Sequence, residues 1–241
     1  MGFHQDHVAT RATYAKFADG HIVLSSREPR EGFSARTNKL GNTVYEQKHA
    51  AFTGTLLGIE ARETDYGNQW NFRFADRLET YYISDRINGS YAKGIICSLA
   101  HADYDPTKPV TLTTWRMDDP RGGDKYIVGA TVKQAGNKIP RAYVSPNTPE
   151  DKRNGAGTLP PMQEVTVSGK KVLDDTDQIV FLTDLVAKIN ERILSANVTM
   201  QNATPSPTGP GPSPAAQSFD EMMAQHRAKA TSGPVPDDVP F

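Results

Sequence analysis

A single cysteine, Cys97, stands in 241 residues, so no disulfide framework can hold this chain, and a reducing compartment suits it. No apolar run approaches the ~20 residues needed to cross a bilayer. The first residues, Met1-Gly2-Phe3-His4-Gln5-Asp6, show no basic region followed by an apolar stretch, so no secretory leader is expected. A soluble cytoplasmic protein is the expectation. Net charge is also scarce, at −1 over the whole chain, which by itself argues against a polyanion binder. The six histidines are scattered. His4 and His7 lie three apart, but no further His or Cys follows at zinc-ligand intervals, so no metal site is expected. A Walker loop, a Gly-x-Ser-x-Gly elbow and a dinucleotide fingerprint are all missing. Asp118-Asp119 and Asp174-Asp175 could pair carboxylates for metal-assisted phosphodiester chemistry. Both flank loop or cap positions, where Asp is favoured by local backbone hydrogen bonds. Neither an enzyme nor a cofactor is expected.

What is present is a body and a tail. Hydrophobic content of 37% and aromatic content of 8% suit a globular body diluted by a polar tail. From Arg11 to Tyr143 there are nineteen Lys and Arg against fifteen Asp and Glu, a balance of +4, whereas residues 201–241 hold two basic and four acidic residues, a balance of −2. A mildly basic body with an acidic arm fits a protein that binds a polyanion and carries a competing anion. Residues 1–50 read as an N-terminal β-hairpin annex. One hairpin spans Tyr14 to Leu24 and turns at Asp19-Gly20, a type I′ pair; a second spans Phe33 to Phe52 and turns at 38–42. Residues 51–145 form the main unit, 146–196 a loop, a hairpin and an amphipathic helix, and 197–241 a disordered linker and tail.

The main unit has the clearest pattern. Residues 52–62 read as a long strand bent by Gly54 and Gly58. Trp70-Asn71-Phe72-Arg73-Phe74 alternates strictly, placing three aromatics on one face with Asn71 and Arg73 on the other. Residues 80–84 give a third strand and 90–102 a helix. Residues 109–117 follow, with Val110 and Leu112 on one face and Thr111, Thr113 and Trp115 on the other; 125–134 make a fifth strand. Three strands, a helix and two strands, the first strand glycine-bent, is the element order of an OB-fold, a five-stranded β-barrel. The fold expected is therefore mainly β, with extra N-terminal hairpins, a C-terminal helix and a disordered tail. For that helix, Asp175 or Thr176 is the expected cap, and Ile179, Leu182, Val186, Ile189 and Ile193 share one face that must pack on the barrel or a subunit partner.

Five prolines alternate with Ser, Thr and Gly over 204–214, a linker that prefers extended conformations. Phe219, Met222, Met223 and His226 then recur at helical spacing. The chain closes on Asp237-Asp238-Val239-Pro240-Phe241, where a pocket could read a terminal ring and carboxylate together. This tip resembles the acidic C-terminal tip of bacterial and phage single-stranded DNA-binding proteins. With the strand order, it makes the chain similar to an OB-fold member of that family, of a phage type given its extra terminal elements. The resemblance implies sequence-independent binding and protection of single-stranded DNA in replication, recombination and repair. It also implies that Asp237, Asp238, Val239, Pro240 and Phe241 recruit replication or repair enzymes. A second reading is an OB-like module for protein recruitment or assembly that does not bind DNA.

Single-stranded DNA needs π-faces for its bases and Lys or Arg for its phosphates, and stacking on an aromatic is worth roughly 1–3 kcal/mol per base. Trp115, out of phase with the apolar face of its strand and next to Arg116, is the first candidate, and Tyr82 the second. Trp70, Phe72 and Phe74 read as core, with only Trp70, nearest the turn, expected to reach solvent. Arg73 and Asn71 oppose those rings and are expected to line the binding face. Arg62 and Tyr66 bracket the first hairpin. Lys125, Lys133 and Arg141 are the expected phosphate contacts.

Overall fold

In the computed structural model of the protein, residues 12–65, 67–76, 79–119, 122, 125–167 and 170–203 are described. Four strands come first: β1 (Ala12–Ala18), β2 (His21–Ser26), β3 (Ser34–Thr37) and β4 (Thr43–His49). The β1–β2 turn is the expected one. Asp19 and Gly20 both have positive φ, +48° and +77°, as a type I′ turn requires. A side chain at position 20 would also be unwelcome, because a Cβ there would lie 2.8 Å from the Cβ of Arg116. The Asn38 side chain holds the next turn by accepting from the Leu40 and Asn42 amides.

The central elements follow as β5 (Ala51–Arg62), β6 (Gln69–Asp76), β7 (Glu79–Arg86), α1 (Ser90–Leu99), β8 (Val110–Asp118) and β9 (Tyr126–Gln134). β5 pairs antiparallel with β8 from Ala51 to Gly54 and with β6 from Thr55 to Arg62, with a register shift between Leu56 and Gly58. The glycine-bent strand expected from the sequence is thus a bulged strand shared by two ladders. Trp70, Phe72 and Phe74 project into the core with Leu56, Ile83, Leu112 and Val132, and α1 adds Ile95, Ile96 and Leu99 to the same cluster. Asp85 holds the N-terminus of α1, its Oδ2 accepting from the Ala92 amide at 2.8 Å.

The protein is mainly β, as expected, but its sheet is ten-stranded and open. The order is β10-β9-β8-β5-β6-β7-β1-β2-β4-β3, where β10 is Asn137–Lys138. Among the described residues no strand pair closes this sheet into a five-stranded barrel. The physical reason lies at β7, whose outer edge pairs in parallel with β1, Tyr14 opposite Tyr82. The N-terminal hairpins therefore continue the main sheet. Their turn is pinned across the fold, the buried Gly20 amide donating to the Tyr91 hydroxyl at 2.6 Å.

Beyond β9, the strands β11 (Tyr143–Val144) and β12 (Gly157–Thr158) pair in parallel around a short 3₁₀ turn at 150–152, and β13 (Gln163–Val167) and β14 (Lys170–Asp174) form the expected hairpin. The helix α2 (Thr176–Ala203) runs past the expected start of the tail. Asp175 stands at the expected cap position, its carbonyl accepting from the Ile179 amide, and the Asp174 side chain accepts from the Thr176 amide and hydroxyl. Leu182, Val186, Ile189 and Ile193 enter the common core, so this apolar face packs on the chain's own body. Arg192 fastens α2 to the end of α1, donating to the carbonyls of Leu99, His101 and Tyr104. No helix among the described residues is long and apolar enough to cross a membrane.

Candidate nucleic-acid interface

β8 and β9 build the principal site through their alternation. Val110, Leu112, Ala130 and Val132 turn inward and are buried. Their neighbours turn outward in register, with Trp115 opposite Gly129, Thr113 opposite Thr131 and Thr111 opposite Lys133. Gly129 makes room for the indole, because a Cβ there would lie 2.4 Å from Trp115 Cζ2. The ring thus rests on backbone and stays half-exposed. The segment after β9 is folded back beside it by three backbone bonds: Ile139 N–H to the Val132 carbonyl, Ala142 N–H to that of Cys97 and Leu159 N–H to that of Val144. A cavity of about 630 Å³ lies between these walls, and Trp115, His101, Lys138, Arg141, Lys152 and Arg153 are among its lining residues.

Among the described residues no carboxylate lines that cavity. Among the described residues, Lys138, Arg141, Lys152 and Arg153 make no ion pair. The Arg141 guanidinium packs against Gly94 of α1. Near it, burial pushes the Cys97 thiol up to about 11, with Arg141 and Lys93 pulling the other way, so this cysteine is held as an inert neutral thiol. The cavity offers one flat π-face surrounded by uncompensated positive charge. It suits a planar ring bearing an anion.

Of the remaining candidates, only Arg73 and Tyr82 share the outward face of β6 and β7; Arg62 lies at the end of β5, and Arg116, Lys125 and Lys133 lie on or beside β8 and β9. Arg73 is exposed and stands opposite both Gly58 of β5 and Tyr82 of β7. Arg62 is exposed at the end of β5. Tyr82 stacks on Tyr14, ring centroids 5.2 Å apart and planes 17° from parallel. Arg116 and Lys125 are exposed; the Arg116 guanidinium lies 3.8 Å over the Tyr126 ring, and the Tyr126 hydroxyl donates to Asp19. Lys133 is exposed on the Trp115 face.

Two expectations are corrected. Trp70 is 0% exposed: its Nε1–H donates to the Ile87 carbonyl at 2.9 Å, which draws the whole indole inward and leaves no face for a base. Asn71 points away from the aromatic stripe but is only 5% exposed, enclosed between its register neighbours Glu60 and Ser84, so it cannot line an open face. Tyr66, the helical motif at 219–226 and the tip at 237–241 lie outside the described residues. His101, Lys138, Lys152 and Arg153 were not anticipated; four cations between Lys138 and Arg153 were visible in the sequence, but only the folded-back segment shows where they gather. Among the described residues, no cluster of three or more His, Cys, Asp or Glu could hold a metal ion. Comparison with protein-family models, with curated proteins and with solved structures gives no match for this chain.

Proposed function

We propose that this protein binds single-stranded DNA with little sequence preference, catalyses no reaction, and protects the strand during replication, recombination and repair in the bacterial cytoplasm. The observation that carries the reading is Trp115, half-exposed in a cavity lined by His101, Lys138, Arg141, Lys152 and Arg153 and, among the described residues, by no carboxylate. A base stacks on the indole whatever its identity, since every base has a π-face. The cations take the phosphates on either side, which fixes the strand's path without reading its sequence. The order β5–β6–β7, α1, β8–β9, with β5 shared between β6 and β8, supports an OB-type barrel left open, with β1 on the edge that would otherwise close it. In this reading Asp237, Asp238, Val239, Pro240 and Phe241 form a docking peptide for replication or repair enzymes.

Titration with an oligo-dT of about thirty nucleotides tests the proposal, since one OB unit covers about 4–16. The chain has two tryptophans, and Trp70 is sealed, so the loss of fluorescence on binding reports Trp115. Four phosphate contacts at about −0.7 each give a salt slope near −3. Trp115→Ala weakens binding by ~1–3 kcal/mol and leaves the thermal melt nearly unchanged. Absence of binding at about 50 mM salt, where such contacts act strongly, overturns the reading. So does a Trp115→Ala protein that binds like the parent.

A further inference from the structure

We infer that the outward face of β6, β7 and β1 is a second contact for the same nucleic acid strand, with Tyr14 as its stacking residue; the inference rests on the single-stranded DNA reading above. Tyr14 is 60% exposed, an unusual position for an aromatic inside a ten-stranded sheet. It lies in register with Tyr82 and stacks on it, so one phenol braces the other in a fixed, upright orientation. Tyr82 in turn stands opposite Arg73. Arg73, Tyr82 and Tyr14 form a row across three adjacent strands, about 10 Å long at ~4.8 Å per strand.

Tyr14 also borders a groove of about 380 Å³ at the start of β1, where Arg30 and Phe33 meet Thr13, Leu24 and Tyr81, residues that alternate to the face opposite Tyr14 and Tyr82. At the other end of the row, Arg73 borders a groove of about 300 Å³ between β5 and α2, with Glu60 as the one acid among the described residues that line it. Among the described residues neither Arg30 nor Arg73 has a carboxylate partner. Arg73 therefore stands free beside a rigid two-ring stack, a combination that can hold a base and its phosphate. This row and Trp115 occupy the same non-core face of one sheet, with four strand steps from β8 to β1, roughly 19 Å along the surface at ~4.8 Å each. Tyr14 belongs to a strand added outside the five expected, so the strand it supplies widens the interface.

The test uses the full chain, a labelled oligo-dT of about thirty nucleotides, and Tyr14→Ser, Tyr14→Phe and Arg73→Ala. Tyr14→Ser is expected to weaken binding about 5- to 150-fold, the worth of one stacked base, with the Trp115 quench at saturation unchanged. Tyr14→Phe keeps the ring and retains affinity to within about twofold. Arg73→Ala makes the salt slope shallower by about 0.7. Parental affinity in a folded Tyr14→Ser protein overturns the inference and leaves the Trp115 site standing, whereas a parent that binds no oligo-dT ends both. Should Tyr14→Ser melt early, Arg73→Ala decides, and an unchanged slope overturns the inference. Dissociation of a dimer by Tyr14→Ser with DNA affinity intact would assign the row to a second copy of the chain and also overturn it.

Discussion

Asn190 performs a task that a β-strand would otherwise perform, and removing it should show how much α2 contributes to the sheet. Past Gly54 the outer edge of β5 has lost β8 as a partner. At Ile59 the Asn190 side chain takes over, its Oδ1 accepting from the Ile59 amide at 2.9 Å and its Nδ2 donating to the Ile59 carbonyl at 2.8 Å. Asn190→Ala leaves both backbone groups without a partner beside a residue only 4% exposed. Each lost bond is worth about 1 kcal/mol net, and an unsatisfied buried group costs about 1–3 kcal/mol, so a loss of roughly 2–4 kcal/mol follows for the pair. At about 2–4 °C per kcal/mol for a body of this size, the melting midpoint falls by roughly 4–16 °C. Asn190→Asp sharpens the test. Its carboxylate can accept from the amide but confronts the carbonyl oxygen, so burial and that oxygen raise its folded pKa above the unfolded value of about 3.9. Stability relative to the parent is then greatest below that value and is lost as pH rises through the raised one. Equilibrium urea unfolding and thermal melts between about pH 3 and 7 read both effects. A midpoint for Asn190→Ala within about 1 °C of the parent would refute the strand-mimic role.

Two further outcomes can be measured directly. Arg36 donates to the Glu46 carboxylate at 2.9 and 2.7 Å and Lys16 stands 3.7 Å away; the hydrogen bonds from Arg36 chiefly hold Glu46 below the usual carboxylate range. Its contribution is complete above the ordinary carboxylate pKa and lost as pH falls through the lowered one, so the parent should exceed Glu46→Gln in melting temperature near neutrality and converge with it in acid; a constant gap would exclude the linkage. Deleting residues 234–241 should remove binding to a partner enzyme, leave the melt unchanged, and keep DNA affinity equal or raise it. Any rise should be larger at low salt, where the Debye length reaches ~30 Å at 0.01 M, and loss of DNA binding would instead make the tip part of the interface.

Local chemistry explains what could be read from the sequence. Asp19-Gly20 announces its turn because few residue pairs accept two positive φ values. The phase of β8 is legible because Val110 and Leu112 alternate with Thr111, Thr113 and Trp115, and the Trp115 face is where that phase puts it. Pairing between distant edges leaves no such mark. Nothing in Tyr14 or Tyr82 says that their strands meet in parallel, and Gly129 gains its meaning only once β8 and β9 are in register. Trp70 was misjudged for the same reason: its alternation was plain, but its hydrogen-bond partner, the Ile87 carbonyl, is 17 residues away. Lys138, Arg141, Lys152 and Arg153 look like ordinary solvated cations until the Ala142–Cys97 bond brings their segment against α1.

The parallel seam between β1 and β7 has a consequence for how the chain reaches its native state. β1 is synthesised before its landing edge, 80–84, and before Tyr91, 71 residues downstream of Gly20, which locks its turn. The edge of β5 waits longer still, for Asn190, 131 residues beyond Ile59. Loop closure must precede these rewards, so a topology so rich in distant contacts folds slowly, and until β7 emerges the first hairpin presents an unpaired edge that can recruit a neighbouring chain. β1 is thus made before the partners that commit it, β7 and Tyr91.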